Sequence, residues 1–320
     1  MSAQTLSIAV LSGKGGVGKS NVTLNLALAL QKMGARVLIV DGDLGLANVD
    51  VLMGFTPSKT LWDVVQGKAS LEETMHQDDS GVNILPAASG TGTQADLDQQ
   101  SCQQFVRMVR PLAEKHDFLL IDLGAGLSDT VRLLAKAASL QLVVTTPEPT
   151  ALTDAYALIK VLHVTHSLSS FYVCVNNIFS DEEVALTRTR LLNACKKFLQ
   201  FRPKLLGSIR HDDMLKDAVA RRIPLLRLHP GSPAGVDITL IAQKIFSLRK
   251  KMIADGTISP CLSLRARQAA PAAGAAKAKA AAPKKTGTSP AKTAAKTTST
   301  KAASRTTAAK STQVRTAKKS

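Results

Sequence analysis

The chain has 320 residues, of which 45% are hydrophobic and 3% aromatic, and 41 basic against 24 acidic side chains give a formal net charge of +17. This apolar content suffices for one large α/β domain or two small ones, and it excludes a small scaffold held by disulfides. The four cysteines form no Cys-x-x-Cys pair, which favours reduced thiols in a cytoplasmic protein over a zinc or redox site. The sequence predicts neither a signal peptide nor a membrane-spanning helix.

The positive charge is concentrated at the carboxyl end. From Gly256 onward there are fourteen Lys or Arg residues and no acidic residue, which leaves a net charge of +3 on the rest of the chain. After Ser263 the composition is mostly Ala, Lys, Thr, Ser and Pro, which offers little apolar surface to bury. We therefore predict a folded domain of residues 1–255 followed by a disordered basic tail of residues 256–320.

Apolar runs of strand length alternate with amphipathic stretches between Leu6 and about Ile253. This pattern predicts an α/β fold with a doubly wound, mostly parallel sheet, helices on both faces and a ligand beyond the carboxyl ends of the strands. The predicted strands are Leu6 to Leu11, Arg36 to Val40, Val82 to Leu85, Phe118 to Ile121, Leu140 to Thr145, Phe171 to Val175 and Lys204 to Ile209. The predicted helices are Lys19 to Met33, Ser101 to Lys115, Asp129 to Ala137, Thr153 to His163, Glu182 to Phe198, Asp213 to Ala220 and Val236 to Lys251.

A glycine-rich loop joins the first predicted strand to the first helix. It reads Gly13-Lys14-Gly15-Gly16-Val17-Gly18-Lys19-Ser20, which fits the phosphate-loop pattern G-x-x-x-x-G-K-S, and Asn21 follows it. Its glycines let consecutive backbone N–H groups turn toward one anion, and the helix N-terminus adds partial positive charge. Lys19 is predicted to reach the β- and γ-phosphates of ATP, and the Ser20 hydroxyl to ligate Mg²⁺.

Carboxylates follow two other predicted strands. The apolar run Phe118 to Ile121 ends in Asp122, which we predict to hold Mg²⁺ through water or Ser20. Asp43 follows the second strand within Asp41-Gly42-Asp43. The alternative to a functional role at the nucleotide site is that these carboxylates form a turn or cap a helix. This alternative is stronger for Asp41 than for Asp43.

The phosphate loop and three further segments resemble the MinD/ParA group of P-loop ATPases, and within it the FlhG/FleN regulators of flagellar number. A second lysine in the loop, here Lys14, is the mark of that group. The other segments are residues 41–50, Asp122-Leu123-Gly124-Ala125-Gly126, and the run from Thr146 to Lys160, which is similar to T-P-E-P-T-x-x-T-D-A-Y-x-x-I-K.

The resemblance implies an ATP-binding, slowly hydrolysing switch ATPase that uses Mg²⁺ and forms a homodimer with ATP. It implies that Lys14 crosses the dimer interface to the other subunit's phosphates and that Asp43 orients the attacking water close to the metal. Asn176 matches the residue that hydrogen-bonds adenine, although Asn177 replaces the usual arginine and the next segment reads Ile209-Arg210-His211-Asp212 in place of I-P-x-D. Asp154 is a candidate partner of Lys14, a residue facing the second subunit, or a cap of its own helix.

The resemblance also implies partners and a location. In the flagellar branch these are an FlhF-like GTPase, a FleQ-like transcriptional regulator and the anionic inner face of the cell membrane. A ParA-like DNA-partition ATPase, with the tail binding nucleic acid without sequence preference, is the alternative, and a MinD-like cell-division ATPase is another. The tail has two further interpretations, attraction to anionic lipid and a solubilising role without a partner.

Two apolar surfaces have competing interpretations. The last predicted helix has apolar residues at 238, 241, 245, 248 and 252, and burial against the sheet is favoured over contact with a membrane. Trp62 is predicted to lie on the apolar face of a short helix, where core packing is favoured over a partner surface.

Overall fold

A computed structural model describes residues 4–43, 48–87 and 98–263 of the chain. Within these ranges the strands form one eight-stranded sheet, and the predicted fold class is confirmed. The strands are β1 (Leu6–Leu11), β2 (Val37–Gly42), β3 (His76–Gln77), β4 (Asn83–Leu85), β5 (Phe118–Leu123), β6 (Leu140–Thr145), β7 (Phe171–Ile178) and β8 (Lys204–Arg210). Their order across the sheet is β3-β4-β2-β5-β1-β6-β7-β8, and each neighbouring pair is parallel except β3 with β4.

Eleven helices lie within the described ranges, and the seven predicted ones are among them. The helices are α1 (Lys19–Lys32), α2 (Val49–Met53), α3 (Leu61–Val65), α4 (Leu71–Thr74), α5 (Gln99–Ala113), α6 (Asp129–Ala137), α7 (Pro149–His166), α8 (Asp181–Leu199), α9 (Asp213–Ala220), α10 (Leu225–Leu228) and α11 (Pro233–Ala254).

The strands β1, β2, β5 and β6 are buried along their whole length because helices cover both faces of the sheet. Helices α5 to α8 pack on one face, and α1 and α11 pack on the other. Ile238, Ile241 and Ile245 of α11 are buried against the sheet, which confirms the core interpretation of that apolar stripe. Trp62 packs against the hydrophobic core on the other face of the sheet, which α5 to α8 cover, and this confirms the predicted core packing.

The segment after α11 packs against the core on the other face of the sheet. Cys261 and Leu262 are buried there with α5 and α6, so packed residues continue past Ala254. The predicted boundary at residues 255 and 256 stays a prediction, and residues 264–320 of the predicted tail lie outside the described ranges. None of the described helices is both long enough and apolar enough to cross a bilayer.

Candidate functional site

The glycine-rich loop lies at the carboxyl end of β1, in the centre of the sheet. Gly16 and Gly18 have φ angles of 78° and 85°, a left-handed conformation that strains any residue with a Cβ atom. Gly18 is also the N-cap of α1, and no side chain caps the first turn of that helix. The loop and the open helix N-terminus therefore form a backbone cradle suited to an anion.

The backbone of α7 presses against the start of this loop. A Cβ atom built on Gly13 would lie 2.3 Å from the carbonyl carbon and oxygen of Asp154, a distance that only a glycine permits. At Gly15 the same construction meets nothing within 4 Å. The glycine at position 13 is thus required by packing, whereas Gly15 faces open space.

Lys19 and Asp122 form a buried ion pair across the loop. The Lys19 Nζ lies 2.9 Å from Asp122 Oδ1, and the two side chains are 8% and 1% exposed. Thr23 donates to the same carboxylate oxygen at 2.8 Å, and Ser20 Oγ lies 3.4 Å from Lys19 Nζ. The structure therefore brings together three residues that the sequence assigned to ATP and Mg²⁺. It adds Thr23, whose only sequence signal is its position one helical turn after Lys19.

Asp41 is a second buried carboxylate beside this pair. It neighbours Asp122 in the register of β2 with β5, and it is 1% exposed. Burial, and then the negative charge of Asp122, raise the pKa of Asp41 to about 7. Its oxygens accept from the backbone N–H groups of Asp43, Asn48 and Val49 at 3.1, 3.1 and 3.3 Å. Asp41 thereby links the backbone of Asp43 to that of Asn48 and Val49, which agrees with the turn-forming or capping alternative that the sequence offered for it.

Asp43 lies just beyond β2, above the glycine segment that follows β5. A Cβ atom on Gly124 would be 3.5 Å from the Asp43 Cγ, an ordinary contact, so the two residues are neighbours. Gly126 donates from its backbone N–H to the Ser12 carbonyl at 2.9 Å, which joins this segment to the phosphate loop. Residues 44–47, part of the segment 41–50 that resembles the MinD/ParA group, lie outside the described ranges.

Lys14 lies at the open rim of the loop and pairs with a residue that the sequence did not suggest. Its Nζ is 2.7 Å from Glu148 Oε2 and 3.2 Å from Thr150 Oγ1, and the Lys14 side chain is 41% exposed. In the described chain Lys14 therefore pairs with Glu148, not Asp154. Asp154 does not cap α7 either, because that helix begins at Pro149, four residues before the predicted start. The N–H groups of a first helical turn have no acceptor within the helix, so a proline there removes no hydrogen bond. The helix α7 can therefore begin at Pro149.

Asn176 reaches the phosphate loop from the end of β7. Its Nδ2 donates to the Val17 carbonyl at 2.8 Å, so this donor is taken by the loop backbone in the described structure. Asn177 has a φ of 60° and its Oδ1 lies 2.7 Å from His211 Nδ1, while the His211 ring stacks on Phe179. Asn177 and the segment that contains His211, which both depart from the family pattern, are thus linked by a hydrogen bond. The adenine contact predicted for Asn176 stays a prediction.

The donor set at the loop fits a magnesium nucleotide. Ser20 and Asp122 offer the hard oxygen ligands that Mg²⁺ prefers, and they lie beside the anion cradle. Among the described residues there is no group of three or more His, Cys, Asp or Glu side chains that could hold a metal alone. In nucleotide sites Mg²⁺ usually takes one or two protein ligands together with phosphate oxygens and water, which agrees with the two candidate ligands Ser20 and Asp122.

Comparison with known proteins identifies the family. The sequence pattern of the family described as "ParA: NUBPL iron-transfer P-loop NTPase" matches residues 4–246. The chain belongs to the ParA/MinD family of P-loop ATPases. The antiactivator FleN of Pseudomonas aeruginosa is 40% identical over 240 residues, which cover 75% of this chain and 86% of FleN. The flagellum site-determining protein YlxH of Helicobacter pylori is 33% identical over 242 residues, 75% of this chain and 81% of YlxH.

A solved member of the family adds information on the ligand. The septum site-determining protein MinD of Pyrococcus horikoshii, complexed with Mg-ADP, is 29% identical. It matches 76% of this chain and 97% of its own with a TM-score of 0.66. The predicted ATPase class is therefore confirmed at the level of the family, and the ligand of that MinD is Mg-ADP.

Proposed function

We propose that this ATPase is a slowly hydrolysing nucleotide switch that dimerises with ATP and regulates the number or placement of flagella. The observation that carries the flagellar role is the sequence identity over a comparable length of chain. FleN is 40% identical and YlxH 33% identical over 75% of the chain, whereas the MinD of Pyrococcus horikoshii is 29% identical over 76% of it. The likeness to these two flagellar proteins is thus stronger than the likeness to that division protein.

The ParA-like partition role has weaker support from the comparisons. A ParA family ATPase from Chlorobium tepidum shares 19% sequence identity and a TM-score of 0.63 with this chain, which shows a common fold alone. The basic composition of residues 264–320 is suited to binding nucleic acid. It does not distinguish a flagellar regulator from a partition ATPase.

The side chains at the loop have distinct proposed roles. Lys19 leaves Asp122 and binds the β- and γ-phosphates, which frees the Asp122 carboxylate to orient the metal ligands together with Ser20. Mg²⁺ held there would neutralise charge on the phosphate oxygens. Asp43, next to Gly124, orients the water for attack, and the backbone N–H groups of residues 13–20 hold the phosphates in place.

The exposed position of Lys14 supports the proposed dimer. Its ammonium lies at the rim of the loop and is paired with Glu148, whose side chain is 58% exposed. A solvent-exposed ion pair of this kind contributes little free energy, about 0–1 kcal/mol, so exchanging Glu148 for a phosphate of a second subunit costs little. This exposure supports the proposal that Lys14 joins two subunits when both carry ATP.

A cycle between an ATP-bound dimer and a monomer can regulate a process only if a partner binds one of these two states more tightly than the other. A partner that binds monomer and dimer equally shifts no equilibrium, so the regulatory output requires preferential binding to one state. The partners we propose are an FlhF-like GTPase, a FleQ-like transcriptional regulator and the anionic inner surface of the cell membrane.

The test is a chromosomal Lys19→Ala substitution with flagella counted by electron microscopy. Lys32→Ala serves as the matched control, because Lys32 is an exposed lysine at the other end of the same helix α1. We expect an altered number or position of flagella in the Lys19 variant alone. Minicells or cells without DNA, with normal flagella, would instead support a division or partition role and contradict this proposal.

A further inference from the structure

Thr23 gives the Asp122 carboxylate a second hydrogen-bond donor beside Lys19. Its side chain is fully buried on α1, and its Oγ1 lies 2.8 Å from Asp122 Oδ1. The same carboxylate oxygen accepts from Lys19 Nζ at 2.9 Å. One oxygen of Asp122 therefore has two donors, which come from the first and the second turn of the same helix.

The Thr23 hydroxyl is fixed more firmly than the Lys19 ammonium. Its Oγ1 also lies 3.0 Å from the Lys19 carbonyl, the contact with the preceding helical turn that selects a threonine rotamer within a helix. A lysine ammonium ends a long flexible stem, whereas a threonine hydroxyl moves only with rotation about χ1. The hydroxyl has one hydrogen to donate, and of its two acceptors the charged carboxylate is both the nearer and the stronger.

This difference has a consequence when Lys19 binds phosphates, as proposed above. Asp122 is 1% exposed, so bulk solvent does not readily replace a donor that moves away. A buried carboxylate that loses its donors is destabilised, and rotation about its terminal bond is soft. Because Thr23 stays on α1, Oδ1 keeps one donor, and that donor restricts the rotation of the carboxylate.

We propose that Thr23 is a positioning residue, which keeps the Asp122 carboxylate oriented toward Mg²⁺ when Lys19 binds the nucleotide phosphates. This inference rests on the roles proposed above for Lys19 and Asp122, but it does not depend on the dimer. Thr23 then contributes to the coupling between metal and nucleotide, and not to the affinity for the nucleotide alone. A threonine whose hydroxyl served only the backbone of its own helix would not affect that coupling, so the two interpretations can be separated.

The experiment measures the affinity of the full-length protein for a fluorescent ADP analogue by anisotropy, once with excess EDTA and once with saturating Mg²⁺. The ratio of the two affinities measures the coupling between metal and nucleotide. Thr23→Val keeps the β-branched shape and removes the hydroxyl. We expect it to lower the ratio by about tenfold or more, as for the loss of one hydrogen bond to a charged group, and to leave the affinity in EDTA within about twofold.

Two further variants separate this role from packing. Thr23→Ser keeps the hydroxyl, so its affinity ratio is expected to stay within about threefold of that of the unmodified protein. Thr5→Val is the matched control, because Thr5 is another fully buried threonine, whose Oγ1 donates to the His116 carbonyl at 2.8 Å just before β1. In urea denaturation of nucleotide-free protein, Thr5→Val should lower stability about as much as Thr23→Val, but its affinity ratio should not change.

Four results overturn the proposal. They are an unchanged ratio in Thr23→Val, an equal loss of affinity with EDTA and with Mg²⁺, a Thr23→Ser variant as impaired as Thr23→Val, and an unmodified protein that binds no ADP or does not respond to Mg²⁺. Light scattering with ATP tests the proposed switch separately. If ATP forms no dimer, the switch is contradicted, while a loss of coupling in Thr23→Val alone, measured with ADP, still supports the role of Thr23.

Discussion

Lys19 and Asp122 neutralise each other inside the domain. The ammonium and carboxylate are 2.9 Å apart, and both side chains are more than nine-tenths buried. The residues proposed for phosphate binding and for metal binding are thus in contact with each other. A buried pair of this kind is costly to break from one side, because the remaining charge is left without a partner.

A double-mutant cycle tests this relationship. We expect Lys19→Met to lower the free energy of unfolding by about 3 kcal/mol, because it leaves the Asp122 carboxylate buried and unpaired. Lys19→Met combined with Asp122→Asn should recover part of that loss, while neither variant binds ATP productively. Urea denaturation measures the first effect and calorimetry with Mg-ATP the second. A double variant no more stable than Lys19→Met would contradict the coupling.

Lys14 is expected to affect assembly without affecting stability. Its pairing with Glu148 is exposed to solvent, so Lys14→Ala should change the free energy of unfolding by less than about 1 kcal/mol. The variant should still bind ATP as a monomer but fail to form dimers in size-exclusion chromatography with light scattering.

Glu148→Gln is the matched control for Lys14→Ala. This substitution removes the carboxylate that pairs with Lys14 and keeps the lysine. The variant should therefore dimerise with ATP at least as readily as the unmodified protein. An ATP-dependent dimer of Lys14→Ala would remove Lys14 from the interface.

Elements marked by a long apolar run or by a motif were predictable, and the shortest elements were not. Strands β1 and β6 begin and end where the apolar runs do, and the glycine spacing of residues 13–20 located the loop. By contrast, α2, α4, α10 and β3 contain two to five residues, too few to show a period.

The ion pair of Lys14 could not be predicted, because its partner is distant in the sequence. Its partner Glu148 lies 134 positions away in the sequence, directly before α7, whose backbone packs against Gly13 of the loop. The sequence offered Asp154 as an equally acidic candidate. Carboxylate chemistry alone does not distinguish two residues six positions apart, because the choice depends on where the helix begins.

Two glycines of the loop should respond differently to alanine. A Cβ atom at position 13 meets the backbone of α7 at 2.3 Å, whereas at position 15 it meets nothing within 4 Å. We expect Gly13→Ala to destabilise the domain by about 1–3 kcal/mol, the usual range for overpacking, and to weaken ATP binding. Gly15→Ala should keep the melting temperature within a few degrees. Equal melting temperatures of the two variants would contradict the close approach of α7.

Asp43→Ala should separate dimer formation from hydrolysis. The residue lies beside the glycine segment after β5 and is proposed to orient water, whereas the loop and Lys14 are proposed to bind ATP and join subunits. The variant is expected to form ATP dimers that persist for longer than those of the unmodified protein and to release phosphate at least tenfold more slowly. Phosphate release and light scattering over time measure the two properties. Normal release of phosphate would exclude Asp43 from that role.

Asp41 makes the stability of the domain depend on pH in a direction opposite to that of most carboxylates. Burial, and then the charge of Asp122, raise its pKa from 3.8 to about 7, so the folded chain keeps a proton that the unfolded chain releases. The stability contributed by neutral Asp41 is therefore full below about pH 4 and is lost as pH rises through about 7, by at most ~1.4 kcal/mol per pH unit.

Asp41→Asn has no proton to lose at this position, so its free energy of unfolding relative to the unmodified protein should rise between pH 5 and pH 8. Urea titrations of nucleotide-free protein at several pH values give this difference. Asp63→Asn is the control, because the backbone N–H of Thr60 lowers the pKa of Asp63 and its difference curve should be flat over the same range. A flat curve for Asp41→Asn as well would show that Asp41 is already ionised at pH 5, and that the buried carboxylate is stabilised by its three backbone donors instead.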